Sequence, residues 1–327
     1  MSVVLLREDP PGAVGGVPRY YDNLVKACGI VDVGINDSTL IDWKAGRLSI
    51  SADNDLVIVT NQYACDIPPQ YAVIAIQHGC AMEHGLANNY RPHIEMGARQ
   101  LAAAQRERTY WVAVSEYAAL HCKWHMGVDA RRIIWGAVDT EAFHPGERQV
   151  HRNPQGKIVV LASATDDCKG RHLLDGVANA LGDCFSVKNL VGVNPSEMPD
   201  ALRSGDIFLS LSLEEGLPTV VQEALSVGLV VVGTRTGFLW SHAHGDPVYC
   251  GNRDAVAWAN YDVGAVIFDP RLRDRTEWVA DFIRGAWERR HRFNGRVFAL
   301  RWFGLELFGR QWALAFAEAR EELGVKP

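Results

Sequence analysis

The sequence lacks any run approaching the roughly 20 consecutive apolar residues that a membrane-spanning helix requires. It also lacks a signal-peptide core, because Met1-Ser2-Val3-Val4-Leu5-Leu6-Arg7-Glu8-Asp9 turns acidic after four apolar residues. Cysteine is sparse and unpaired in pattern: seven residues, at 28, 65, 80, 122, 168, 184 and 250, form no Cys-x-x-Cys. An odd, scattered set reads as free thiols in a reducing compartment, so a cytoplasmic location is expected. Low-complexity tracts and short internal repeats are absent. So is an excess of positive charge: the net charge of −6 gives no support for nucleic acid as a partner. What is present is a globular composition, 48% hydrophobic and 22% charged.

A chain of 327 residues favours two domains over one large core. Short apolar runs at 3–6, 56–60, 73–76, 111–114 and 133–134 alternate with helical patterns, one after the loop at 10–16 and the longest near 93–108. That alternation predicts stacked β-α units and a parallel sheet. A polar stretch at 147–156 has no apolar period and reads as a linker. A second series follows, with strands expected at 157–162, 185–193, 206–212, 229–233 and 265–268, and helices near 171–181 and 218–227. The expected architecture is α/β: two doubly wound, Rossmann-like domains, 1–147 and 148–300, facing a cleft. Residues 301–327 are expected to form a C-terminal helix packing back onto the first domain. From about 298 to 323 its apolar stripe carries Leu305, Phe308, Trp312, Ala315, Phe316 and Ala319 at helical spacing. Just before it, Arg284, Arg289, Arg290, His291, Arg292, Arg296 and Arg301 crowd among Trp287, Phe293, Phe298 and Trp302. The plain reading is a solvated helix face; the other is a peripheral contact with anionic lipid head groups.

The informative stretch runs from Phe208 to Leu225. An apolar run ends in Glu214-Glu215-Gly216-Leu217-Pro218-Thr219, and a helix is expected to start at Pro218 and to close at Gly228. The first turn of such a helix directs backbone N–H groups and the positive dipole end outward, so an anion such as a diphosphate would bind there without a metal. Gly216 would let a ligand approach the backbone. Glu215 and Glu223 stand eight positions apart, a spacing suited to one elongated ligand gripped at two points. The plain alternative is a polar turn followed by a helix with one surface glutamate. Two other chemistries fit less well. Gly12-Ala13-Val14-Gly15-Gly16 with Asp37 further on is not the Gly-x-Gly-x-x-Gly of a nicotinamide enzyme. His121-Cys122 with His125 lacks the further ligands that zinc needs.

The block Glu215-Gly216-Leu217-Pro218, Glu223-Ala224-Leu225 and Gly228 resembles the Glu-x7-Glu signature of retaining GT-B glycosyltransferases. This is the large group, called glycosyl transferases group 1 and family 4-like, that builds bacterial surface glycans. Lys169-Gly170 resembles the family's donor-phosphate loop, Gly15-Gly16 its N-terminal glycine loop, and Val114-Ser115 with 137–145 the segment closing its first domain. The resemblance implies Glu215 at the donor hexose, Glu223 at the ribose and Lys169 at the diphosphate. It adds contacts from Gly15, Gly16, Gly216, Leu217, Pro218 and Thr219, and places His78 near the transferred sugar. One expected cation is absent: where the family has an arginine, this chain has Asp166 and Asp167, with Arg171 and Arg235 as candidate replacements.

The expected function is therefore that of a retaining, metal-independent hexosyltransferase, needing no cofactor. Its donor would be a UDP- or GDP-sugar and its acceptor a glycan, a lipid-linked sugar or a small molecule, as in polysaccharide biosynthesis. A catalytically silent sugar-nucleotide-binding protein and a sugar-nucleotide epimerase share the fold and stand as alternatives.

Overall fold

The structure, a computed structural model, describes residues 2–9, 11, 13, 15–34, 50–79, 81–82, 85, 91–146, 156–250 and 256–326. The polar stretch read as a linker falls almost wholly outside these residues, as does Asp37. The chain divides into two compact units, Met1–Ala137 with Leu305–Pro327, and Val138–Gly304. Among the described residues no helix is long and apolar enough to cross a membrane.

The first unit contains β1 (Val3–Arg7), α1 (Gly16–Cys28), β2 (Val31–Gly34), β3 (Leu56–Thr60), β4 (Ala72–Gln77), α2 (Arg91–Ala104), β5 (Thr109–Ala113), α3 (Glu116–His121) and β6 (Arg132–Ile133). Its strands lie in the order β2-β1-β3-β4-β5-β6, every pair parallel. All six residues of β4 are buried, as a strand covered on both faces must be. Pro18 sits in the first turn of α1 at no hydrogen-bonding cost, and Gly29 ends that helix in the left-handed region at φ 60°. At the end of β1 the buried Arg7 pairs with Asp22 of α1 and Asp32 of β2, each at 2.6 Å.

The second unit contains β7 (Ile158–Ala162), α4 (Leu174–Leu181), β8 (Phe185–Asn189), α5 (Met198–Arg203), β9 (Ile207–Ser210), α6 (Thr219–Ser226), β10 (Val230–Thr234), β11 (Asp246–Tyr249), β12 (Val256–Asn260), β13 (Ala265–Phe268), α7 (Thr276–Glu288) and α8 (Gly295–Trp302). Its sheet runs β11-β12-β13-β10-β9-β7-β8. The five strands from β8 to β13 are parallel, and β12 and β11 add to the β13 edge in antiparallel sense. That antiparallel edge was not expected from the sequence, since β11 exposes three of its four residues and has no apolar run to betray it.

The late helical stripe is two helices rather than one. It breaks at Phe303-Gly304, and α9 (Leu305–Leu323) belongs to the first unit while α8 belongs to the second. Two hydrogen-bond sets account for the division. Tyr20 Oη donates to Ile134 O (2.9 Å) and Asn23 Nδ2 to Ala137 O (2.8 Å) within the first unit. The next residue, Val138, donates its N–H to Phe303 O (2.8 Å) within the second. Trp312 of α9 is fully buried, with Tyr20 and Phe308 edge-on to its ring. Gly309 lets α9 approach α1, since a Cβ there would lie 3.3 Å from Ala27 O. Tyr110 Oη and Arg132 Nε both donate to Glu318 Oε2, at 2.5 and 2.7 Å, and hold that carboxyl well below the usual carboxylate range.

Trp312→Ala would leave a large cavity between α9 and α1. It is expected to destabilise the first unit by about 3–5 kcal/mol, read as an earlier denaturant midpoint for that unit.

Candidate functional site

In the second sheet the chain goes outward from β7 to β8, then crosses back to β9 on the other side. The loops after β7 and β9 therefore diverge at the carboxyl ends of neighbouring strands, the topological switch point where open α/β sheets bind ligands. Lys169 lies on the first of these loops and Glu215 on the second. Lys169 Nζ stands 3.4 Å from Glu215 Oε1, and Ser212 Oγ donates to the same oxygen at 3.0 Å. Residues 46 positions apart thus converge.

Close packing fixes the loops. Gly170 has φ 80°, and a Cβ on it would lie 2.5 Å from Leu211 Cβ, so only glycine lets the lysine loop rest on the end of β9. Gly237, at φ 54°, likewise has no room for a Cβ beside Pro218 Cδ, at 2.4 Å. Thr234 Oγ1 donates to Ser212 O at 2.6 Å, joining the end of β10 to the same turn. Pro218 caps α6, which starts one residue later than expected, at Thr219. Gly216, Leu217 and Thr219 are partly exposed around this turn, and Gly228 follows α6 at φ 79°. Glu223 is only 2% exposed within α6, which removes the surface-glutamate alternative.

Of the two candidate replacements for the absent arginine, Arg171 is exposed and reaches Thr165 O at 3.4 Å. Arg235 follows β10 and stacks on Trp240, 5.2 Å from the ring centre. A third cation that was not anticipated contacts both loops. Arg273, 5% exposed, donates through Nη1 to Cys168 O (2.7 Å) and Leu211 O (2.8 Å), and so braces the loops after β7 and β9 from below. Nothing in its local sequence distinguishes it from Arg271, which is exposed and pairs with Asp269. Asp166 shapes the lysine loop: burial raises its carboxyl, but donation from Thr165 Oγ1 and the Lys169 N–H outweighs that and holds it below its ordinary value.

In the first unit, Gly15 and Gly16 open α1 beyond the end of β1, with Gly15 at φ 143°. The switch point of that sheet lies between β1 and β3. Tyr21 Oη and Thr60 Oγ1 are joined across it at 2.6 Å. His78 follows β4, with its Nε2 3.2 Å from Tyr21 Oη and the rings of Tyr20 and Tyr21 edge-on at 5.2 and 5.3 Å. Burial lowers its pKa to about 3, so the imidazole is neutral at physiological pH. The zinc candidates fare differently: the rings of His121 and His125 stack in parallel at 5.3 Å, which does not converge their nitrogens on a common point. Among the described residues no group of three or more His, Cys, Asp or Glu is placed to hold a metal ion. Sequence reasoning also passed over one Asp-x-Asp, Asp53-Asn54-Asp55. It lies before the amino end of β3, where Asp55 accepts from Ser2 N (2.6 Å) and Ser51 N (2.8 Å) as a structural cap.

Two largely parallel sheets of this order, each with its loops at a switch point, define the GT-B fold. Comparison with known proteins gives the same class. Residues 149–261 match the family described as "Glycosyl transferases group 1". Over 83 residues the chain is 31% identical to a trehalose synthase of Pyrococcus horikoshii, a match covering 24% of this chain; it thus spans 20% of that relative's length. Among solved structures it is similar to Anabaena Alr3699/HepE in complex with UDP, with a TM-score of 0.72 and 14% identity over 97% of this chain and 100% of that one. It is also similar to sucrose-phosphate synthase from Thermosynechococcus elongatus, with a TM-score of 0.72 and 13% identity over 97% and 99% of the two chains.

The half-buried, neutral His78 links stability to pH. Its folded-state pKa lies below the unfolded value, so the unfolded chain binds the extra proton; stability is complete above about pH 6.5 and is lost as pH falls toward about 3. The unfolding free energy of the wild type relative to His78→Gln should therefore drop by up to about 1 kcal/mol per pH unit between about pH 6 and 4. Parallel profiles in urea titrations would remove the account of His78 given above.

Proposed function

We propose that this chain is a retaining glycosyltransferase that moves a hexose from a UDP- or GDP-sugar to a glycan, a lipid-linked sugar or a small molecule. The observation that carries the reading is the meeting of Lys169 and Glu215 at the switch point of the second sheet, beside the amino end of α6. The match of residues 149–261 to a transferase family supports it. So do the complexes of Anabaena Alr3699/HepE with UDP and UDP-glucose.

The ion pair itself suggests how the site works. Lys169 is 41% exposed, so the pair is worth no more than about 1 kcal/mol and is readily exchanged for another partner. An arriving diphosphate would draw the ammonium away and free Glu215 to accept hydrogen bonds from the sugar hydroxyls. As the sugar–phosphate bond breaks, negative charge grows on the leaving diphosphate. The Lys169 ammonium and the N–H groups of Thr219 and Val220 at the amino end of α6 would face that charge, which is the most effective use of fixed dipoles. Glu223 would take the ribose diol. Gly216 to Thr219 would line the phosphate and sugar contacts of the second unit. A neutral His78, oriented by Tyr21, suits hydrogen bonding to a sugar hydroxyl better than stabilisation of an anion. We place the protein in the cytoplasm, in contact with the inner face of the membrane.

One observation favours a second reading. Asp166 and Asp167 put negative charge on the loop that should receive the diphosphate, which would suit a protein that binds a sugar nucleotide without turning it over. An epimerase on the same donor is the further alternative. A thermal-shift screen against UDP-, GDP- and ADP-sugars, followed by assay of nucleotide release, separates these readings.

Glu215→Ala should lower nucleotide release from the stabilising donor by about 100-fold or more, with circular dichroism unchanged; wild-type turnover would refute its assignment. Because protein groups hold the phosphates in this reading, millimolar EDTA should leave the rate unaltered. A loss reversed by added divalent ion would show that a metal takes part.

A further inference from the structure

The second unit carries a surface at the opposite end of its sheet that the transferase reading does not use. The candidate site lies at the carboxyl ends of β7 and β9, whereas a cavity of about 470 Å³ opens at the amino ends of β9 and β10, beside Asp206 and Val230. Trp287, Arg290, His291, Arg296 and Val297 line it. From Arg284 to Trp302 the sequence holds six arginines and one histidine against a single acid, Glu288, in a chain whose net charge is −6. Along α8, Val297 and Leu300 are 64% and 51% exposed and share a face with the exposed Arg301; Trp302, 39% exposed, ends the helix. The Arg301 guanidinium lies over the Trp302 ring at 5.0 Å, and that of Arg290 over Trp287 at 3.9 Å.

We propose that α8 and the arginine segment before it form the surface by which this protein lies on an anionic lipid bilayer. This deepens the location given above and is independent of the transfer chemistry. Exposed valine, leucine and tryptophan beside arginines are the composition of an interfacial helix, with apolar side chains entering the acyl boundary and guanidinia at the headgroup phosphates. Arg290 and Arg301 already lie over aromatic rings, which leaves their charge exposed while their stems are held. The cavity offers a recess for a headgroup next to Val297. Arg284 and Arg292 are paired with Asp281 and Asp246, and Asp206 lines the cavity, so the charge that complements a surface of fixed negative charge is carried by the exposed Arg290 and Arg301. Contact through the amino ends of the strands would leave the loops bearing Lys169 and Glu215 uncovered at the far end of the sheet.

The test is co-sedimentation of the full chain with vesicles of phosphatidylcholine alone or with roughly a quarter phosphatidylglycerol. Partitioning should be at least about tenfold stronger onto the anionic vesicles and should weaken with salt. The double substitution Arg290→Glu and Arg301→Glu should remove about tenfold or more of that binding. Val297→Ser with Leu300→Ser should remove several-fold, and Leu314→Ser, an exposed leucine on α9, should remove none. All these positions are exposed, so unchanged melting temperatures are expected. As a second reading, brominated lipid should quench tryptophan fluorescence in the wild type and markedly less in Trp302→Phe. Equal binding to both vesicle types, or undiminished binding by both double variants, overturns the proposal. Binding to an oligonucleotide that depends on the arginines but not on Val297 and Leu300, with no vesicle binding, overturns it in favour of a polyanion site. Donor-induced thermal shifts are measured separately, so failure here leaves the transferase reading standing, and failure of that reading leaves this one.

Discussion

The reversal of strand order between β7 and β9 is the constraint from which the candidate site follows. Two chain segments leave adjacent strand ends in opposite directions, and the course of the backbone sets the gap between them. The loops still have to be fixed against each other, and three contacts do so. Gly170 rests on Leu211, Gly237 on Pro218, and the buried Arg273 ties Cys168 O to Leu211 O. With the backbone fixed, the exposed lysine and the glutamate need only a weak ion pair to stay in place. Rigid backbone with exchangeable side chains is the arrangement a donor site needs, because positioning must survive each cycle while the charge partner changes.

The first unit uses the same topology with a different emphasis. Its switch point is closed by uncharged contacts, Tyr21 with Thr60 and His78 with Tyr21, over the Arg7 cluster that locks β1 to α1 and β2. Arg7 is 2% exposed, and breaking one of its pairs would strand a buried charge, so the cluster serves as structure rather than as a site. A neutral floor of this kind differs from the switch point of the second unit, where a lysine and a glutamate meet.

Much of this was legible in the sequence, for reasons that differ by element. The central strands announced themselves because both faces are buried, giving unbroken runs such as 56–60 and 72–77. The Glu215 to Gly228 block was legible because proline and glycine fix the turn and the helix end by covalent geometry. The edge strand β11 was not, since it is short and exposes three of its four residues, whereas β12 carries an apolar run that sequence reasoning passed over. Arg273 was invisible because its role depends on two carbonyls that the chain brings near it only after folding. The break at Phe303-Gly304 was hidden by apolar periodicity that runs through it. That periodicity serves two cores in turn: Phe298 and Phe303 pack in the second unit, Phe308 and Trp312 in the first.

The distribution of charge makes a final distinction. If the arginines of 284–302 had served the donor phosphates, they would have clustered near Lys169, where Asp166 and Asp167 leave the local balance short of cations. They stand instead at the amino ends of the strands, the far side of a sheet whose two ends are separated by the length of β9 and β10. Charge placed there cannot stabilise a leaving group at the carboxyl ends, because water and counterions screen it over such a span at physiological ionic strength. On the two proposals made above, two anionic partners would be met by two separate devices: a single exchangeable lysine with a helix end for a small ligand, and an arginine face with exposed apolar residues for an extended one.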